Sequence, residues 1–177
     1  IVGELTGLLQ DLDTVRQPRF VFDAGNPAVV GRFVALAMIA QQRTPLADVE
    51  RVYGSGVYAL YYNGDFPEYA AIRGSETPIY VGKADPATSQ AKNPVEQGER
   101  LSGRLRDHRR NIQKAENLRI EDFEYRSLVV QSGWQEAAES YLINLFRPIW
   151  NDETKICYGF GKHGDDPGTR ANKRSPW

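Results

Sequence analysis

Two short segments, Gly56-Val57-Tyr58-Ala59-Leu60-Tyr61-Tyr62 and Pro78-Ile79-Tyr80-Val81-Gly82, constrain the fold of this 177-residue chain more than any other part of it. β-branched and aromatic residues dominate both, as suits a pleated, half-buried surface, and Asn63-Gly64-Asp65 after the first supplies turn chemistry. The pattern predicts an antiparallel pair. Successive side chains of a strand point to opposite faces, so Val57 and Ala59 share one face while Tyr58 and Leu60 share the other. The direction of Tyr58 is thereby set by its neighbours, whereas Tyr53, Tyr61 and Tyr62 read as packing residues.

Helices are predicted around this pair wherever apolar residues recur at three- and four-residue spacing. They cover residues 4 to 12, 26 to about 42 (opened by Asn26-Pro27), 99 to about 114, and 135 to 146 ahead of Pro148. Phe123 to Val130 alternates as a third strand, Phe20-Val21-Phe22 reads as a brief one, and Ala84 to Gly98 is a polar loop. The class is α+β: a small three-stranded, mainly antiparallel sheet flanked by helices, in a single domain over residues 1–177. No apolar run approaches the roughly 20 residues of a membrane span. The lone Cys157 leaves no internal disulfide and no cysteine zinc site, so a reducing, cytoplasmic setting is expected.

Charge is segregated although the formal total is −1. Arg100, Arg104, Arg106, Arg109, Arg110, Lys114 and Arg119 fall in one stretch against only Asp107 and Glu116, and Lys162, Arg170, Lys173 and Arg174 follow near the end. Such a run is either a solvated helix face or a surface for a polyanion. Arg104 and His108, four positions apart on a helix, share a face and can converge on one phosphate and one water. Glu139 has Leu142, Ile143 and Phe146 at helical neighbour positions, so it projects from the edge of an apolar stripe, where a carboxylate needs a cation. An arginine would serve as that cation, as would a metal ion.

Gly56-Val57-Tyr58 followed by Tyr80-Val81-Gly82 resembles the signature of the GIY-YIG nucleases, with valine for isoleucine in both halves. Arg104, His108, Glu139 and Asn151 follow in the family's order, and the resemblance covers residues 54–152. More narrowly the chain is similar to the GIY-YIG type II restriction endonucleases, in which extra segments wrap the nuclease core. Residues 1–53 and 153–177 would then be extensions for DNA binding or dimerisation. The resemblance implies Mg²⁺-dependent hydrolysis of double-stranded DNA, with Tyr58, Tyr80, Arg104, His108, Glu139 and Asn151 as catalytic residues and one Mg²⁺ per site held by Glu139. Glu136, one turn earlier, is the rival ligand.

In that scheme Arg104 clamps the scissile phosphate, Tyr80 orients the attacking water, and Asn151 holds the phosphate or the Glu139 region. A free phenol is only about one part in a thousand ionised at pH 7. Tyr58 therefore needs its pKa lowered by Arg104, His108 and the metal, or its proton taken by His108. Lys83, Arg109, Arg110, His163, Arg170, Lys173 and Arg174 are the expected DNA contacts. A homodimer on a GC-rich palindrome, with CCGCGG as the expected site, follows from the same resemblance. A repair or mobile-element nuclease and an inactive DNA-binding module are the alternatives.

Overall fold

In the computed structural model, which describes residues 2–12, 15 and 18–152, the Tyr58 strand lies at the heart of the sheet. The elements run α1 (Val2–Leu12), α2 (Pro27–Ile39), β1 (Thr44–Pro45), β2 (Gly56–Tyr62), β3 (Tyr80–Ala84), α3 (Pro94–Gln97), α4 (Arg100–Gln113), β4 (Phe123–Val129), α5 (Gln135–Phe146) and α6 (Ile149–Asp152). The sheet has the order β1-β4-β2-β3, and every neighbouring pair is antiparallel. Every residue of β2 is buried, and the alternation expected of it holds. Tyr58, Leu60 and Tyr62 join a core with Leu101, Leu105 and Ile112 of α4 and with Phe123 and Trp150. Val57, Ala59 and Tyr61 join a second core with Ala35 and Met38 of α2 and with Ala138 and Leu142 of α5. The sheet is thus sandwiched between α4 on one face and α2 with α5 on the other.

Local chemistry explains the helix ends. The Asn26 side chain accepts from Ala28 N at 2.9 Å and Pro27 sits in the first turn, so the four-donor deficit at the start of α2 is partly met. Arg147, in the left-handed region at φ 45°, closes α5 just before Pro148. Gly31 lets the two helices on that face approach closely, because a Cβ there would stand 2.6 Å from the Ala137 carbonyl oxygen.

Three expectations change. The turn at Asn63-Gly64-Asp65 does not by itself join the pair, and the connection from β2 to β3 runs over residues 63–79. Asn63 N donates to the Asp122 carbonyl at 2.8 Å and Phe66 N to the Tyr62 hydroxyl at 2.9 Å, which draws the chain away from the ladder after Tyr62. Phe20-Val21-Phe22 forms no strand and stands 92%, 78% and 78% exposed. The free edge of β4 is instead taken by Thr44 and Pro45 opposite Tyr125 and Glu124, which makes a fourth strand. Proline, having no N–H to donate, is tolerated at such an edge. Among the described residues no helix is long and apolar enough to cross a membrane.

Candidate active site

The edge strand β3 carries the site on both of its faces. Pleating puts Tyr80 and Ala84 in the core beneath α4 and Val81 in the core beneath α5. Tyr58 stands opposite Gly82 in the ladder. A Cβ on Gly82 would lie 2.6 Å from the Tyr58 hydroxyl oxygen and 2.8 Å from Tyr80 Cε1, so only glycine leaves room for the two phenols over the strand. The rings of Tyr58 and Tyr80 are 6.0 Å apart, and His108 packs 5.5 Å from the first and 4.8 Å from the second. His108 reaches them because α4 lies on this face and repeats every three to four residues, which also turns Arg104 toward the same point.

The Tyr58 hydroxyl is 2.8 Å from His108 Nε2, and Tyr80 and Arg104 are near enough to act on its charge as well. Burial is the largest influence on Tyr58, Tyr80 and His108. It raises Tyr58 well above the usual tyrosine range, with Tyr80 reinforcing and Arg104 opposing. It raises Tyr80 against the pull of Arg104, and it lowers His108 to about 3, with Arg104 adding to the effect. The expectation that Arg104 and His108 acidify Tyr58 is therefore corrected for the protein's own residues. His108 is neutral at pH 7 and brings no charge, while desolvation of the phenolate outweighs the one guanidinium. Moving the Tyr58 proton to His108 is uphill, since the two groups are displaced in opposite directions. His108 is suited to hold the hydroxyl in one orientation. Its Nδ1 is buried and has no hydrogen-bond partner among the described residues.

A pH prediction follows from His108. Its folded pKa lies below the ordinary value of about 6.5, so the unfolded chain binds the proton more readily. The stability it contributes is complete above about pH 6.5 and is lost as pH falls toward 3, at up to about 1.4 kcal/mol per pH unit. Denaturant unfolding at pH 7, 6, 5 and 4 should show the wild type losing its lead over His108→Gln step by step. Parallel losses in the two proteins would remove the buried neutral imidazole from the account.

A pocket of about 640 Å³ opens at the β3 edge between α4 and α5. Tyr80 and Asn151 line it, Arg100 and Arg104 come from α4, and Glu136 and Glu139 come from α5; Tyr58 and His108 stand behind Tyr80. Three cations, Lys83, Arg100 and Arg104, face three carboxylates, Asp85, Glu136 and Glu139. Glu139 is half-buried and accepts a hydrogen bond from the Lys83 main-chain N–H; burial raises its pKa while the Lys83 charge opposes the rise. Glu136 is exposed and pairs with Lys83. No cluster of three His, Cys, Asp or Glu that could hold a metal occurs among the described residues. The donor set is one half-buried carboxylate beside open space, which fits a hard cation that keeps several waters and takes further oxygens from a substrate, as Mg²⁺ does.

The other predicted residues fall in different places. Asn151 is a strand clamp: its Oδ1 accepts from Val81 N and its Nδ2 donates to Val81 O, both at 2.8 Å, so its amide satisfies the outer edge of β3. Lys83 belongs to β3 and lines the pocket. Arg109 donates to the Ala47 carbonyl at 3.1 Å, Arg110 pairs with Asp107, and Arg106 reaches Glu99 at 3.4 Å, so much of the basic run is engaged within the chain. His163, Arg170, Lys173 and Arg174 lie outside the described residues. Arg100, which the sequence offers only as a member of the basic run, and Asp85, which it does not single out, also line the pocket, one helical turn before Arg104 and two positions after Lys83. Arg100 Nε donates to the Asp85 carbonyl at 3.1 Å, which ties the start of the loop after β3 to α4.

A protein-family model, that of the Eco29kI GIY-YIG domain, matches residues 50–177. The match includes residues 153–177, which the motif reading had set aside as an extension. No curated protein matches the chain.

Proposed function

The chain belongs to the Eco29kI GIY-YIG domain family, a family of restriction nucleases, and from that premise we propose that it is a type II restriction endonuclease acting on double-stranded DNA. The observation that carries the reading is the pocket at the β3 edge, where Tyr80 and Arg104 meet Glu139 across a space open to a phosphate. Arg104 neutralises charge that develops on the phosphoryl oxygens. Tyr80, at the pocket wall, orders the attacking water, and Tyr58 with His108 holds the Tyr80 hydroxyl in place. A new oxygen–phosphorus bond forms to the water oxygen as the bond to the leaving sugar oxygen breaks; one proton of the water passes to solvent through the open pocket, the other stays on the new phosphate hydroxyl, and the leaving sugar oxygen takes a proton from solvent. Glu139 would hold Mg²⁺, which when bound would supply electrostatic stabilisation of the leaving oxygen.

One such site cuts one strand, so cleavage of a palindrome calls for two copies related by a twofold axis. The homodimer has apolar surface available in Leu5, Leu8 and Leu9 of α1 and Phe33 and Leu36 of α2, each more than half exposed. A GC-rich palindrome, CCGCGG in the first instance, is the proposed site. Incubation of the purified protein with plasmids that do and do not contain it, with and without Mg²⁺, tests the proposal. Discrete fragments only with Mg²⁺ are expected. A smear would make it a non-specific or repair-type nuclease, and intact plasmid with a gel shift would make it a binding module.

A further inference from the structure

α5 turns two carboxylates three positions apart toward the pocket, and the reaction as proposed uses only Glu139. Glu136 has a different connection. It pairs with Lys83 Nζ, which also donates to Asp85 Oδ1 and Oδ2 at 3.0 and 3.2 Å. Lys83 is the inner member of this trio, with its side chain 24% exposed against 69% for Glu136 and 59% for Asp85. Strand pleating places Lys83 on the same face as Val81, beneath α5, whereas Tyr80 and Arg104 belong to the α4 side. A lysine stem is flexible and its ammonium is a point charge, so two carboxylates meeting it from different elements are what give it a defined position. Its main-chain N–H is at the same time bonded to Glu139. The pocket therefore has a held cation on each side of the edge strand, and a phosphate lying across β3 would sit between them.

Resting on the nuclease reading above, we propose that Glu136, together with Asp85, is a positioning residue that holds the Lys83 ammonium against the scissile phosphate from the α5 side, opposite Arg104. Glu136 then acts through Lys83 and is neither a metal ligand nor a solvated surface charge.

A double-mutant cycle on the full chain decides this, read as single-turnover cleavage at saturating enzyme so that DNA affinity drops out. Glu136 is exposed on a helix and alanine is a good helix former, so Glu136→Ala is expected to fold. Lys83→Met should slow cleavage about a hundredfold, as loss of one transition-state donor does. Glu136→Ala should slow it about tenfold, a partial loss of the same interaction. The double variant should be no slower than Lys83→Met, and the Mg²⁺ concentration for half-maximal rate should stay the same in Glu136→Ala. Multiplying losses, or a raised Mg²⁺ requirement in Glu136→Ala, would make Glu136 a ligand in its own right and overturn the inference. Wild-type cleavage by Glu136→Ala would reduce the pair to a surface ion bridge and overturn it equally. Both failures presuppose a wild type that cuts DNA; a wild type that cuts none brings down the nuclease reading and this inference together.

Discussion

Glu139→Ala is expected to abolish DNA cleavage while leaving the fold and DNA binding intact. The side chain is half-buried at the pocket side of α5, three and four positions before Leu142 and Ile143, so the apolar stripe holds it in place without including it in the core. Of the three pocket carboxylates it is the half-buried one, and the direct ion pairs of the Lys83 ammonium go to Asp85 and Glu136. Metal-assisted stabilisation of a leaving oxygen is worth several kcal/mol, so a loss of at least about a thousandfold in single-turnover rate is expected. Removing a partly desolvated carboxylate from beside phosphates also relieves repulsion, so affinity measured in EDTA should hold or improve. A Glu139→Ala enzyme that retains a tenth of the wild-type rate would move the metal elsewhere in the pocket.

Tyr58→Phe should slow cleavage by about a hundredfold, because its hydroxyl holds Tyr80 in place and a small misplacement of the group that orders the attacking water is felt in the transition state. The phenyl ring remains, so the packing of β2 against α4 is unchanged. The hydroxyl, however, is the partner of His108 Nε2 at 2.8 Å, and His108 Nδ1 already lacks a partner among the described residues. Its removal leaves the buried imidazole with neither nitrogen satisfied, so a stability loss of about 1–3 kcal/mol accompanies the kinetic one. Tyr61→Phe is the matched control. It also loses a hydroxyl from a buried β2 ring, one that accepts from Arg126 Nη1 at 3.1 Å on the face away from α4, and should cut at close to the wild-type rate. Chemical denaturation and single-turnover cleavage on the same preparations separate the two effects. Tyr58→Phe cleavage within a few-fold of Tyr61→Phe would leave Tyr58 a packing residue and pass the role wholly to Tyr80.

The local layers of this structure were legible without coordinates. Alternation in residues 56–62 assigned Tyr58 and Leu60 to one core and Val57 and Ala59 to the other, and the periodic spacing of apolar residues placed α4 and α5 to within a residue or so of their ends. Those features depend on neighbours within one or two turns, which the sequence itself supplies. Arg104 with His108, and Glu139 with its stripe, were readable for the same reason. Pairings between distant segments were decided by the tertiary structure alone. Thr44 and Pro45 take the open edge of β4, while Phe20 to Phe22, read as a brief strand, joins no sheet, because an edge is filled by whichever segment the path of the chain delivers to it. Asn151 bonds both main-chain groups of Val81, and Lys83 meets Glu136 across the gap between β3 and α5. The protonation states of Tyr58 and His108 belong with these, since burial outweighs the neighbouring charge and burial is a property of everything packed around a side chain, most of it remote in sequence.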